Sequence, residues 1–330
     1  MKRSIAPSAL LALGLGAAAA VFLYATSDLS KILSALQTAG WGIAAVLAVH
    51  VPQTLAATAA WRAVIPAEGA PLLGRMFVLR WVKDAVNALL PVAQVGGDVV
   101  RTRLLIRSGV KARTAIASSI VDVAISTASL FIYMLMGLGF LVLSPQKGVD
   151  ATLAPRAAAV AVVVAIAVVA APRLGLFRWI ERATLRLTKR QEWAEEEQEE
   201  EETPGDLQDA IVDLYRRRKP VLICTAWHVG AWLLGAVETY VNISILGLEP
   251  TWAEAFLIDS LGQGFRAAGF LIPGALGVQE GGYVVLFGMF GMPMEQALAF
   301  STIRRIRELA LGVPGLAAWA LAETSAKRAS

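Results

Sequence analysis

Long apolar runs separated by short polar breaks fill most of this chain, and their lengths predict helices rather than strands. Runs near 8–26, 41–60, 113–143, 155–172, 219–247 and 295–322 are comparable with the roughly 20 residues a helix needs to cross hydrocarbon. Each is read as a crossing helix. Two further segments, 74–106 and 252–292, are apolar but interrupted by proline, glycine and scattered charge. They are too irregular for plain spans and too apolar for aqueous loops. Irregular backbone at membrane depth must be covered by protein or line a watery cavity, so each is expected to form a helix–break–helix hairpin that dips in and returns. The alternative, two true crossings per segment, raises the span count from six to ten.

The two breaks answer each other. Leu89-Leu90-Pro91-Val92-Ala93-Gln94-Val95-Gly96-Gly97-Asp98 and Leu271-Ile272-Pro273-Gly274-Ala275-Leu276-Gly277-Val278-Gln279-Glu280 place one acid each at the same distance from a proline. With the prolines superposed, Asp98 falls on Glu280, Gly109 on Gly291 and Asp122 on Arg304. Within a single transmembrane domain over 1–330, this divides the chain into a first repeat (41–143) and a second (219–322). Basic residues fix the orientation: Arg62, Arg75, Arg101, Arg103, Arg107, Lys111, Arg113, the loop after Pro172, Lys327 and Arg328 gather on one side, and only Lys31, Lys147 and Arg156 on the other. Both termini are therefore expected in the cytoplasm. Three crossings separate the breaks, so the second hairpin is expected to enter from the opposite face. The predicted fold is all-α: a polytopic integral membrane helical bundle, an inverted repeat with two opposed re-entrant helical hairpins. Paired interruptions of this kind point to a transport site.

Composition agrees with the pattern. The chain is 56% hydrophobic and 17% charged, more apolar and less charged than soluble domains. Met1-Lys2-Arg3 before the first apolar stretch resembles a secretory leader, but the stretch is long and another span follows, so a retained helix is expected. The net charge of +4 hides eight glutamates between Glu192 and Glu202, within a loop over 173–218 read as cytoplasmic and solvated. The basic excess elsewhere suits an anionic leaflet rather than nucleic acid. Lone Cys224 cannot form an internal disulfide, and with His50 and His228 it makes a poor metal set. No P-loop, nucleophile elbow or histidine-paired nucleophile is visible. Neither a cofactor nor an enzymatic activity is expected.

The candidate chemistry lies at membrane depth. Asp98 and Glu280 each begin a returning helix, where an acid also suits the helix N-terminus, and free N–H groups there can receive an anionic headgroup. In the last span, Arg304, Arg305, Arg307 and Glu308 interrupt apolar sequence. An arginine at the bilayer centre costs about 2.5–3.5 kcal/mol on insertion scales, so these residues must face partners or water. Arg304 and Glu308, one turn apart, are expected to pair, and Asp122 is expected to bridge to one of the arginines as an inter-repeat salt bridge. Lys83, Asp84 and Asn87 on the first hairpin, and Asp259, Gln263 and Arg266 on the second, line the arms that lead into each break. Glu238 and Asn242 add further polar positions.

Asn87-x-x-Leu90-Pro91, then Gly97-Asp98-x-x-Arg101, and later Pro273-Gly274-x-x-Gly277-x-x-Glu280 resemble the flippase-like membrane domain family. It includes the flippase region of lysylphosphatidylglycerol synthases and the HpnL-type hopanoid-associated membrane proteins. The resemblance runs from about 41 to the last helix, with Ala275 standing where the family often has glycine. It implies a bacterial inner-membrane protein that moves a lipid or lipid-linked headgroup between leaflets, linked to hopanoid or aminoacyl-phospholipid metabolism. Asn87, Pro91, Gly97, Asp98, Arg101, Arg266, Pro273, Gly274, Gly277 and Glu280 would bind substrate or gate. Asp122, Arg304, Arg305, Arg307 and Glu308 would form a charge network. No aminoacyl-transferase domain follows Ser330, so headgroup synthesis is expected to fall to a partner lipid-synthesis enzyme. A non-transporting scaffold for such an enzyme, docking through the acidic loop, is the alternative.

Overall fold

A computed structural model describes residues 7–90, 96–143, 204–269, 272 and 275–327. The run at 155–172, the acidic run, Pro91, Pro273 and Gly274 lie outside the described residues. Among those described there are eleven α-helices and no strand: α1 (Pro7–Ala25), α2 (Leu29–Ala39), α3 (Gly42–Val64), α4 (Leu73–Leu89), α5 (Gly96–Arg107), α6 (Ala112–Leu143), α7 (Pro204–Arg216), α8 (Arg218–Ile245), α9 (Trp252–Ala268), α10 (Val278–Met289) and α11 (Met294–Lys327). The protein is a polytopic helical membrane protein. By length and composition α3, α6 and α8 can each cross a membrane, and the end of α1 with α2, bent by 94°, makes a fourth candidate. α11 is longer still but carries its charged residues mid-helix.

Local chemistry sets the ends of these elements. The side chain of Asp28 accepts from the backbone N–H groups of Ser30 and Lys31 and so starts α2, a helix the apolar pattern leaves as loop. Thr251 and Glu254 cap the start of α9 reciprocally, satisfying two N–H groups that a helix start leaves open. Gly109 and Gly291 close the turns after α5 and α10 at φ +93° and +69°, a region only glycine enters without strain. Adding 182 to the bounds of α5 gives those of α10, and adding it to the first residue of α6 gives that of α11. The offset of 182 between Pro91 and Pro273 is thus also the offset between these helix bounds.

Two compact units share the chain. One comprises 1–51, 131–170 and 232–311; the other comprises 52–130, 171–231 and 312–330. In the first, α9 packs along α10, and α1 also rests on α10. Close approach needs glycine here: a Cβ on Gly262 would meet the Tyr283 ring at 2.9 Å, and one on Gly282 would collide with Phe265. In the second, α4 packs along α5. Its core gathers Trp61, Met76, Leu105, Val121 and Cys224, with Ile211 and Leu214 from α7. The final part of the predicted 173–218 loop is thus an amphipathic helix whose apolar face is covered.

Candidate functional site

Each hairpin carries its own buried charge network. In the α4–α5 hairpin the Gly97 N–H donates to Asn87 Oδ1 at 2.8 Å. A Cβ on Gly97 would strike the Lys83 carbonyl and lie 2.7 Å from Asn87 Oδ1, so glycine lets α5 return flush against α4. That contact sets Asp98 at the start of α5, where Arg101 Nη2 reaches it at 2.9 Å and Lys83 Nζ at 3.8 Å. Arg101 is fully enclosed. Its other arm donates to Asp122 Oδ2 at 2.7 Å, and its guanidinium lies 4.3 Å from the centre of the Trp61 ring. Asp122, on α6, is also 2.8 Å from His228 Nε2 and 3.7 Å from Arg80 Nη1.

Asp122 and the arginines of the last span, expected to bridge, fall in different compact units. Asp122 is satisfied by Arg101, Arg80 and His228 within its own unit.

In the α9–α10 hairpin, Glu280 Oε2 accepts from the Gly277 N–H at 2.7 Å, which closes the first turn of α10. Its Oε1 pairs with Arg305 Nη2 at 3.1 Å and accepts from Ser301 at 3.3 Å. Glu280 is thus a helix cap and an ion-pair member at once. Arg304 does not pair with Glu308. It bonds Asp259 at 2.8 Å, donates to the Tyr283 hydroxyl and approaches Glu238 at 3.9 Å. Asp259 also accepts from Tyr133 and Thr239, each at 3.0 Å. Glu308 instead joins Arg305 at 3.0 Å, Arg266 at 3.3 Å and Arg307 at 3.9 Å. Arg304 misses its helical neighbour because the carboxylates of α8 and α9 face it directly.

Glu238 joins these groups to a histidine. It accepts from Arg307 through one oxygen, while His50 Nδ1 on α3 lies 2.8 Å from the other. Single residues 188 positions apart, on α3 and α8, offer no spacing from which to read this pair. Nor did spacing reveal that ligand atoms of Asp122, Cys224 and His228 all lie within 4.8 Å of one another. Cys224-x-x-x-His228, one turn apart on α8, was the available signal. Arg101 and Arg80 already neutralise Asp122, so a divalent cation there would face two guanidinium groups.

The expected site residues divide by exposure. Arg101 and Arg304 are enclosed and held by their own carboxylates, leaving no surface for a phosphate in this conformation. The Arg266 side chain remains 35% exposed. The sequence matches the family described as lysylphosphatidylglycerol synthase TM region over residues 9–315. No curated protein and no solved structure matches it.

Proposed function

This chain belongs to the lysylphosphatidylglycerol synthase TM region family, and on that footing we propose that it is a lipid translocator of the bacterial inner membrane. It moves a lipid headgroup between leaflets and does no covalent chemistry of its own. One observation carries the reading: two hairpins in the same register each hold a buried acid against arginine. At 1.5 Å per residue, the 17-residue arms α4 and α9 reach about 26 Å and the 12-residue arms α5 and α10 about 18 Å. Hydrocarbon is about 30 Å thick. Arms this short support re-entrant hairpins; entry from opposite faces and cytoplasmic termini rest on the number of crossings between the breaks and on the placement of basic residues.

Gating then follows from competition. A lipid phosphate accepts from the same donors as a carboxylate, so an anionic headgroup enters by displacing Glu280 from Arg305 or Asp98 from Lys83. Arg266, partly exposed and tied to Glu308, offers the first contact. The test is reconstitution in liposomes with inter-leaflet transfer of labelled phosphatidylglycerol as the readout. Asp98→Asn and Glu280→Gln are each expected to slow transfer at least about tenfold, a change of about 1.4 kcal/mol in barrier. Wild-type rates in both variants would remove the gating roles. Absence of transfer by the wild type, with partner-enzyme activity lost when 192–202 is deleted, would favour the scaffold.

A further inference from the structure

Among the described residues, the ion pairs around the second hairpin join as many guanidinium groups as carboxylates, with a histidine at their edge. Four guanidinium groups (Arg266, Arg304, Arg305, Arg307) face four carboxylates (Glu238, Asp259, Glu280, Glu308). Arginine does not release its proton in proteins, so the cluster cannot adjust through its cations. His50 is the member that can. It lies on α3, with its side chain 21% exposed and 2.8 Å from the fully buried Glu238 carboxylate. Across from it stand Glu238 of α8 and, behind that carboxylate, Arg307 and Arg304 of α11. From Glu238 the ion pairs continue through Arg307 to Glu308 and on to Arg266.

We propose that the His50–Glu238 pair is a proton-binding site whose occupancy sets the affinity of Arg266 and its neighbours for an anionic lipid headgroup. With the pair unprotonated the network is neutral. A proton bound there leaves it with one excess positive charge, and histidine is the side chain suited to gain it near neutral pH. The excess charge weakens the hold of Glu238 on Arg307, frees Glu308 to turn toward Arg307, and loosens Arg266 for a phosphate. By linkage, headgroup binding in turn raises proton affinity by the same factor. Proton and anion then move together, and a proton gradient can drive the lipid. This inference rests on the translocator reading for its purpose, but not for its binding test.

That test is equilibrium binding of phosphatidylglycerol to the full chain in phosphatidylcholine nanodiscs between pH 8 and pH 5.5. Wild-type protein is expected to bind about fivefold tighter at the acid end, within the usual range of coupling between sites. His50→Gln removes the imidazole and should make binding independent of pH at the weak level. His50→Arg fixes the charge and should give pH-independent binding at the tight level. A wild-type affinity that does not change with pH, or a full pH response retained by His50→Gln, overturns the proposal. If His50→Gln fails to fold, the wild-type titration and His50→Arg still decide it. Failure of the translocator reading registers elsewhere, as absence of lipid transfer in liposomes.

Discussion

At the scale of single residues, the buried carboxylates hold more than their own positions. Asp122 gathers Arg101, Arg80 and His228, so Asp122→Asn removes the carboxylate that Arg101 and Arg80 share and leaves them Asp98 and Asp84 alone. Breaking a buried pair from one side costs about 3–5 kcal/mol, and thermal unfolding in detergent should show a loss of that order. A loss under 1 kcal/mol would mean that water reaches the site. Ala275 is a second case. It adopts φ +49°, a left-handed conformation that costs an L-residue about 1–2 kcal/mol, and its buried methyl packs beside Gly269. Ala275→Gly exchanges that strain for a lost methyl worth about 0.8 kcal/mol, so stability should stay within about 1 kcal/mol of wild type. Ala275→Val keeps the strain and adds crowding, and should lose about 2 kcal/mol or more. Both variants can be read in the same melt. The sequence revealed which positions carry charge at membrane depth, because charge is rare there. It did not reveal the partners: Asp122 and Arg304 superpose, yet each is neutralised by side chains from other helices that no spacing rule connects.

At the scale of elements, the hairpins were the most legible feature. Proline, glycine and an acid in fixed order anticipated that α5 and α10 would begin just beyond each break; Gly109 and Gly291, legible only as matched positions, mark where they stop. α2 was not legible, since its start depends on the Asp28 cap and its eleven residues are too few for a span. The fit between hairpin arms can be tested with two glycines. Gly97→Ala drives a methyl into the Lys83 carbonyl and Asn87 and should cost about 1–3 kcal/mol. Gly288→Ala, inside α10 with open space around it, should stabilise by up to about 1 kcal/mol. The ends of α5 and α11 give a pH test just past the last predicted span. Partial burial pushes the Glu323 carboxyl up, but Arg107 at 2.7 Å and Arg103 at 3.8 Å hold it below the ordinary glutamate value. A folded value below the unfolded one means stability that is complete above the ordinary pKa of about 4.3 and fades as pH falls through the lowered value. Wild type should therefore melt above Glu323→Gln at neutral pH, and the gap should close in acid.

For the whole molecule, the repeat makes orientation testable at matched positions. Ala67 precedes the first hairpin and Glu249 precedes the second, and both are exposed. In a Cys224→Ser background, cysteine at 67 should react with an impermeant reagent only from the cytoplasmic side, and cysteine at 249 only from outside. Labelling of both from one face would mean parallel rather than opposed hairpins. The length of the apolar runs and the composition were enough to anticipate a membrane bundle. The division into two units was not readable, because the cut falls inside long helices whose composition does not change there.

Where that cut falls has a mechanical meaning. Pro52 is the residue at which α3 passes from one unit into the other, and Pro314 follows the corresponding point in α11 by two residues. A proline supplies no amide to the carbonyl four residues earlier, so Ala48 and Ala310 lack that ladder bond and bending stiffness is lowest at these seams. Replacing Pro52 with alanine restores the missing amide donor and should raise the melting temperature of the full chain in detergent. A melting temperature that stays the same or falls would mean that the ladder is not weakest at this point.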